Sequence, residues 1–242
     1  MDITLLVRDL SFSFKNFNIS NVSFTLKNGD VMGLIGRSGS GKSTLIKTVL
    51  GLKKPDSGYV KFFVDNKEVN IKKFVGFSPQ HNSLYPLLTV KENIEIFGRL
   101  YNMKYSDIKN NMELLLEKLE IKDVADKKIF ELSGGMQKRV DIAVALIHSP
   151  LIIVLDEPFT GLDISLQNFI WNFLLELKNE GRIIIVSSHL IRDLQFYCTK
   201  VGLLENGVFY ETEEILQSMK SSKIYDLESF LKVIFDRDYK LR

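Results

Sequence analysis

An α/β fold is predicted by three features of the sequence. A glycine-rich loop stands between an apolar strand and a helical segment across Val31 to Leu50. Two continuous apolar runs, Leu151 to Leu155 and Ile183 to Val186, are separated by a helical stretch. The opening residues alternate in hydrophobicity as strands do. A length of 242 residues fits one large domain, or a core with one inserted subdomain, and is ample for a hydrophobic core without metal or disulfide staples. With 45% hydrophobic and 26% charged residues the composition is that of a soluble globular protein, and a net charge of +2 offers no long-range attraction for nucleic acid. The single Cys198 cannot form an intrachain disulfide, which suits a reducing compartment. The start, MDITLLVRDLSFSF, lacks the basic and apolar pattern of a secretory signal and reads as a strand. The longest apolar stretch, Ile142 to Leu155, is broken by His148, Ser149 and Pro150 and is shorter than the ~20 residues a membrane helix requires. Work at a membrane would therefore need docking on another chain.

Taken in order, the runs Ile3 to Leu10, Val22 to Leu26, Val31 to Ile35 and Tyr59 to Val64 predict a β-rich first portion, with turns at Asn28-Gly29 and Asp65-Asn66. Lys42 to Leu50 has helical spacing and stops at Gly51, a good C-terminal cap. From Thr89 to about Ile147 the pattern is helical. Thr89 and Glu92 can form a reciprocal capping box, Ser106 can cap a second helix through Leu119, and Ser133 or Gly134 opens a third. The apolar runs at 151–155 and 183–186 are expected for central strands covered on both faces, with a helix from about Ser165 to Lys178 between them. Lys200 to Leu204, the Asn206-Gly207 turn and Val208 to Glu211 predict a hairpin, followed by short helices near 213–219 and 227–235.

Three segments carry chemistry. Gly36-Arg-Ser-Gly-Ser-Gly-Lys42-Ser43 matches GxxxxGK[ST] in the right context, after a strand and before a helix. Its glycines let backbone N–H groups turn inward on phosphates, Lys42 reaches the β- and γ-phosphates, and the Ser43 hydroxyl can ligate Mg²⁺. Leu151-Ile-Ile-Val-Leu-Asp156-Glu157 sets two carboxylates at the exit of a buried strand. Asp156 suits Mg²⁺ and Glu157 suits polarising an attacking water, with side chains expected to diverge because successive strand residues alternate. Leu132-Ser133-Gly134-Gly135-Met136-Gln137 places a hydroxyl and two glycines at a helix start. Taken alone this is an N-cap. In a chain with one phosphate-loop lysine it reads as a second anion site, which a head-to-tail pair of chains would use to complete the partner's nucleotide site.

Gly36 to Thr44, Gln80, Leu132 to Gln137, Leu151 to Glu157, Gly161-Leu162-Asp163 and His189 occur in the order that defines the ATP-binding-cassette ATPases, and the chain resembles that family over nearly its whole length. The resemblance implies a P-loop NTPase with a RecA-like core, an antiparallel β subdomain and an inserted α-helical subdomain. It divides the single 1–242 domain into core with β subdomain (1–82 and 150–212), helical subdomain (83–149) and C-terminal helical tail (213–242). It implies that Phe14 stacks on adenine, and that Gly36, Arg37, Ser38, Gly39, Ser40, Gly41, Lys42, Ser43 and Thr44 hold the phosphates of ATP. It further implies that Gln80 senses Mg²⁺ and the attacking water, that Asp163 communicates across a dimer, and that His189 contacts the γ-phosphate. Ser133 and Gly135 would act on the partner's nucleotide, and Gly134 and Gln137 belong to the same nucleotide-binding segment. By residue type alone Gln80 is a turn residue, His189 a helix cap, and Phe12 and Phe14 strand packing. Cys198 and Trp171 read as packing residues, and His81 and His148 carry no chemistry.

The stretch Gln80 to Asn93 with Ile96 to Tyr101, and Asp226 to Val233, resemble the ATPases of drug, lipid and polysaccharide exporters, whereas importer ATPases usually carry a longer regulatory domain. Export is therefore expected, through a separate transmembrane channel subunit, with a second cassette chain as dimer partner and a place in the cytoplasm on the inner face of the membrane. Ile164, where proline is common, and Arg192-Asp193, where acidic residues usually follow the histidine, depart from the pattern without removing a catalytic group. A soluble cassette acting on ribosomes or DNA would need tandem cassettes, a coiled-coil insert or a basic arm. A regulatory or assembly cassette would be favoured by lost carboxylates. None of these features is apparent.

Overall fold

The computed structural model describes residues 1–14 and 17–236. The chain opens with β1 (Ile3–Phe14) and β2 (Phe17–Lys27), then β3 (Val31–Ile35), the helix α1 (Lys42–Val49), β4 (Ser57–Val64) and β5 (Lys67–Val69). It continues through β6 (Val75–Ser78), α2 (Val90–Leu100), α3 (Tyr105–Lys118), α4 (Gly134–Leu146), β7 (Ile152–Asp156), α5 (Ile164–Asn179) and β8 (Ile183–Ser187). It ends with α6 (Ile191–Tyr197), β9 (Lys200–Glu205), β10 (Val208–Tyr210), α7 (Thr212–Ser221) and α8 (Leu227–Asp236). These elements gather into two compact units, Met1–Glu68 with Ser187–Arg242, and Val69–Val186.

In the first unit the strands run in the order β5, β4, β1, β2, β10, β9, β3. β1 is antiparallel to both β2 and β4, while β3 is parallel to β9. Burial along β1 is alternate but not uniform. Ile3, Leu5 and Val7 face the core, and so do Leu10 and Phe12. The phase changes because the register shifts between Val7 and Leu10, where Asp9 takes a left-handed φ of 49°. A bulge of this kind inserts a residue and turns the following side chains to the other face. The Asp9 N–H donates to Ser23 Oγ (2.9 Å) and that hydroxyl donates back to Asp9 Oδ1 (3.1 Å), so the bulge is held from the neighbouring strand. All five residues of β3 are buried, as its continuous apolar run predicts. Cys198 packs beside this strand: a methyl group on Gly33 would stand 3.0 Å from its Sγ.

In the second unit β7 lies between β6 and β8, and β6 runs parallel to β7 with Val75 opposite Ile152 and Ser78 opposite Leu155. β6 carries too weak a sequence signal to be predicted, because it is four residues long and contains Gly76. That glycine is needed for close approach, since a Cβ there would stand 2.1 Å from the Ala145 carbonyl oxygen. The expected capping box is present at α2: Thr89 Oγ1 accepts from the Glu92 N–H (3.2 Å), and Glu92 Oε2 accepts from the Thr89 N–H (2.7 Å). The next cap lies two residues before the expected Ser106. α3 begins at Tyr105 with Lys104 as its N-cap, and Ser106 instead donates to Asp107 Oδ1 within the first turn. α2, α3 and α4 pack on one another, with Gly98 of α2 so near Ile108 of α3 that a Cβ would lie 2.7 Å from its side chain.

Trp171 of α5 is 1% exposed and stacks on Phe159 at 4.7 Å between ring centres, which makes it the packing residue its sequence context suggested. Trp171→Ala is expected to cost about 3–5 kcal/mol, read as a lower denaturant midpoint at unchanged slope. His148 has a defined structural role that its sequence context did not reveal. Its ring stacks on Tyr101 at 3.5 Å, and Nε2 meets the Val75 carbonyl oxygen at 3.0 Å. Burial brings its pKa from 6.5 down to about 4, against the opposing pull of that carbonyl. Between these values the unfolded chain binds a proton that the folded chain does not, so stability is fully present above about pH 6.5 and is lost as pH falls toward 4. The urea midpoint should therefore drop more between pH 7 and pH 5 in the natural protein than in His148→Phe.

Candidate functional site

The phosphate-type loop leaves β3 and enters α1 through backbone that only glycine adopts without strain: Gly39 has φ 82° and Gly41 has φ 101°. Gly36 is required for a different reason. A Cβ there would stand 2.4 Å from the Leu204 carbonyl oxygen and 2.5 Å from Ser40 Oγ. Lys42 Nζ donates to the carbonyls of Gly36 (2.6 Å) and Arg37 (3.2 Å), holding the ammonium over the loop. Ser43 and Thr44 are half-buried in the first turn of α1, and Ser38 is exposed. Arg37 pairs with Glu205 at 3.3 Å and its guanidinium lies 5.2 Å from the Phe235 ring centre. Burial pushes the Glu205 carboxyl upward, opposed by Arg37.

Two observations test whether this cradle suits a phosphate. Ser40 Oγ is buried and, among the described residues, meets no hydrogen-bond partner. Nothing lies within 4 Å of where a Cβ on Gly39 would stand. An orphaned hydroxyl and an open glycine beside the first-turn N–H groups of a helix are compatible with a bound anion. His189 belongs to the same unit. The N–H of Ser188 donates to the Leu34 carbonyl of β3 (3.3 Å), so His189, which is exposed, follows a residue tied to the strand that feeds the loop. Phe14 ends β1, but its side chain lies outside the described part of the chain.

The remaining candidates lie in the second unit. Ser133 is the N-cap of α4 and accepts from the Met136 N–H at 3.3 Å. Open space surrounds a Cβ position on Gly134, whereas one on Gly135 would stand 2.5 Å from Leu166 Cδ2. Gln137 is committed locally: Nε2 donates to the carbonyls of Ile129 (3.2 Å) and Leu132 (3.1 Å), and Oε1 accepts from Asn82 (3.2 Å). Asp163 is the N-cap of α5, with Oδ1 accepting from the Leu166 N–H at 2.9 Å. Asp156 ends β7 and is 5% exposed. Glu157 follows with a left-handed φ of 50°. The two carboxylates are thus separated by this turn in the backbone rather than by strand alternation, because Glu157 has already left the strand. A non-glycine residue held in this region is strained, a feature that clusters at functional positions.

Gln80, Gly134, Gln137, Lys138, Glu157 and Gly161 line one cavity of about 410 Å³. Lys138 was not anticipated. It is largely buried, and burial pulls its pKa down against the raising effect of Asp141. The available signal was Asp141 itself, a carboxylate inside the apolar run of α4, which must find partners to be buried. Among the described residues no three His, Cys, Asp or Glu side chains converge as a metal-holding group.

This constellation has counterparts. The model of the ABC transporter family matches residues 19–160. The chain belongs to that family. It is 34% identical over 213 residues to the ABC transporter ATP-binding protein NatA of Bacillus subtilis, covering 85% of this chain and 87% of NatA. It is 33% identical over 192 residues to the linearmycin resistance ATP-binding protein LnrL of the same organism, covering 78% of this chain and 62% of LnrL. It is 36% identical over 192 residues to the Nod factor export ATP-binding protein I of Rhizobium sp., covering 78% and 63%. The chain thus spans a little over three fifths of the length of the latter two. Among solved structures, an ATP-binding subunit of an ABC transporter superposes with TM-score 0.82 at 24% identity, covering 96% and 99% of the two chains, and shows that the fold is that of an ABC ATPase cassette. A bacterial ABC transporter cassette solved as a dimer superposes with TM-score 0.74 at 28% identity, covering 86% and 98%. Within this family member, Asp163 has a measurable structural task. Asp163→Ala should cost about 1 kcal/mol in chemical denaturation, and Asp163→Asn, which keeps an accepting oxygen at the cap, much less.

Proposed function

We propose that the chain is the ATP-hydrolysing motor of a membrane exporter, acting as a head-to-tail homodimer of cassettes docked on a separate transmembrane subunit. One observation carries this reading. α4 opens at Ser133-Gly134 beside empty space, offering a hydroxyl and first-turn N–H groups at the positive end of a helix, in a chain that already has one phosphate cradle at Gly36–Thr44. A second cradle without a phosphate-loop lysine suits a nucleotide bound to a partner copy.

In this mechanism the Gly36–Thr44 backbone and Lys42 bind the triphosphate, and the partner's Ser133, Gly134 and Gly135 close over it. The Ser43 hydroxyl, the Asp156 carboxylate and the Gln80 amide oxygen are the groups suited to Mg²⁺, which when bound neutralises charge shared by the β- and γ-phosphates. Such a site needs only one carboxylate, because Mg²⁺ retains water and phosphate ligands. Glu157 accepts the proton of the attacking water, and His189 and Gln80 orient the γ-phosphate and that water. Phe14 stacks on the adenine. Binding energy is spent on closure of the pair, and hydrolysis reopens it.

Support for export comes from relatives named for Nod factor export and linearmycin resistance. Among the described residues no helix is long and apolar enough to cross a membrane. Tyr85 and Leu87, 47% and 73% exposed and next to the Gln80 loop, supply apolar surface for docking on a membrane partner at the inner face. The identity of the transported molecule would be set by that partner. In Glu157→Gln, ATP binding should persist and dimers accumulate in size-exclusion chromatography, while phosphate release falls about 100-fold or more. Unchanged turnover would remove Glu157 from its assigned role.

A further inference from the structure

We propose that Lys138 and Asp141 of α4 form a clamp on both ends of the Gln80 loop and act as positioning residues that set where Gln80 stands during hydrolysis. This inference rests on the assignment of Gln80 above. Residues 138 and 141, three apart, share one face of the helix. Asp141 Oδ2 accepts from Ser78 Oγ at 2.5 Å, at the last residue of β6. Lys138 Nζ donates to the same hydroxyl at 2.9 Å and to the Pro79 carbonyl at 3.3 Å, immediately before Gln80. Asp141 Oδ1 accepts from the Ser83 N–H at 3.3 Å, three residues after it. The four residues Pro79 to Asn82 are thus pinned at entry and exit by two side chains of one helix, and Asn82 donates to Gln137 of the same helix at 3.2 Å.

The burial of these groups gives the clamp a defined geometry. Ser78 is fully buried, Asp141 is 1% exposed, and the Lys138 side chain is 11% exposed. A buried charge pair is tolerated only when its remaining donors and acceptors are satisfied, and a fully satisfied network strongly favours one arrangement. Gln80 itself is exposed and, with Lys138, lines the cavity that holds Glu157. α4 begins at the Ser133-Gly134 cradle, so whatever seats that helix on a partner's nucleotide would carry the Gln80 loop with it.

The test measures ATP turnover and ATP affinity in the full chain. Lys138→Met and Asp141→Asn should each lower turnover about tenfold, as expected for a displaced reacting group, with affinity changed by less than about twofold. In a Gln80→Ala background the same substitutions should produce no further loss, a non-additivity that general loosening of the fold would not give. Should either variant fail to fold, Ser78→Ala removes only the shared hydroxyl, keeps the Lys138–Asp141 pair, and should show the same pattern. Normal turnover in the folded variants, or losses that add to that of Gln80→Ala, would overturn the clamp while leaving Gln80 in place. Normal turnover in Gln80→Ala alone would overturn the Gln80 assignment and the clamp with it.

Discussion

Helix N-termini bring unsatisfied N–H groups and positive potential to the surface, and the function proposed for this chain rests on two of them. α1 starts at Lys42 behind Gly41, whose left-handed backbone turns the loop into the helix. α4 starts at Gly134 behind Ser133, whose hydroxyl caps the first turn. The two differ in one decisive way. The first carries Lys42, bonded back to the Gly36 and Arg37 carbonyls; the second has a hydroxyl and glycines, and Lys138 further along its helix is taken up by Ser78, Pro79 and Asp141. A cradle with a fixed cation can hold a triphosphate by itself, whereas one with dipoles alone is better suited to complete a site begun elsewhere. That asymmetry underlies the proposal of a head-to-tail pair.

The rest of each unit keeps these ends in place. β3 is buried along its whole length and delivers the loop at Gly36, where contact with the Leu204 carbonyl leaves no room for a side chain. β7 is likewise buried and delivers Asp156, while the left-handed turn at Glu157 re-aims the second carboxylate into the cavity shared with Gln80. Several residues named for chemistry also hold structure. Asp163 caps α5, Ser133 caps α4, and Gln137 ties α4 to the carbonyls before it. Substitutions at these positions can therefore change stability and activity together, and the two effects need separate measurements.

Much of this was legible in the sequence where local chemistry decides. The glycine loop, the Thr89-Glu92 capping box, the Asn206-Gly207 hairpin and the buried runs at 151–155 and 183–186 follow from short-range rules of conformation and burial; the first three stand where expected, and the runs form strands at 152–156 and 183–187, within one residue of expectation. The sequence is silent where one residue's conformation answers to a distant neighbour. The bulge at Asp9 depends on Ser23, fourteen positions away, and β6 depends on its pairing with β7. His148 acquires its lowered pKa only from burial and its contact with Val75.

The sequence by itself determined the family, through the order of its motifs along the chain, and the positions of the glycine loop with its lysine and of the two adjacent acidic residues, because each motif is contiguous and its conformational rules are local. Tertiary structure alone decided that Glu157 leaves the strand in a left-handed turn, and that Lys138 and Asp141 reach residues some sixty positions earlier in the chain to grip the Gln80 loop. A buried charge cannot be assigned a partner by spacing. Its partner is whichever group the packing of strand and helix brings within hydrogen-bond distance, and only the folded chain settles that.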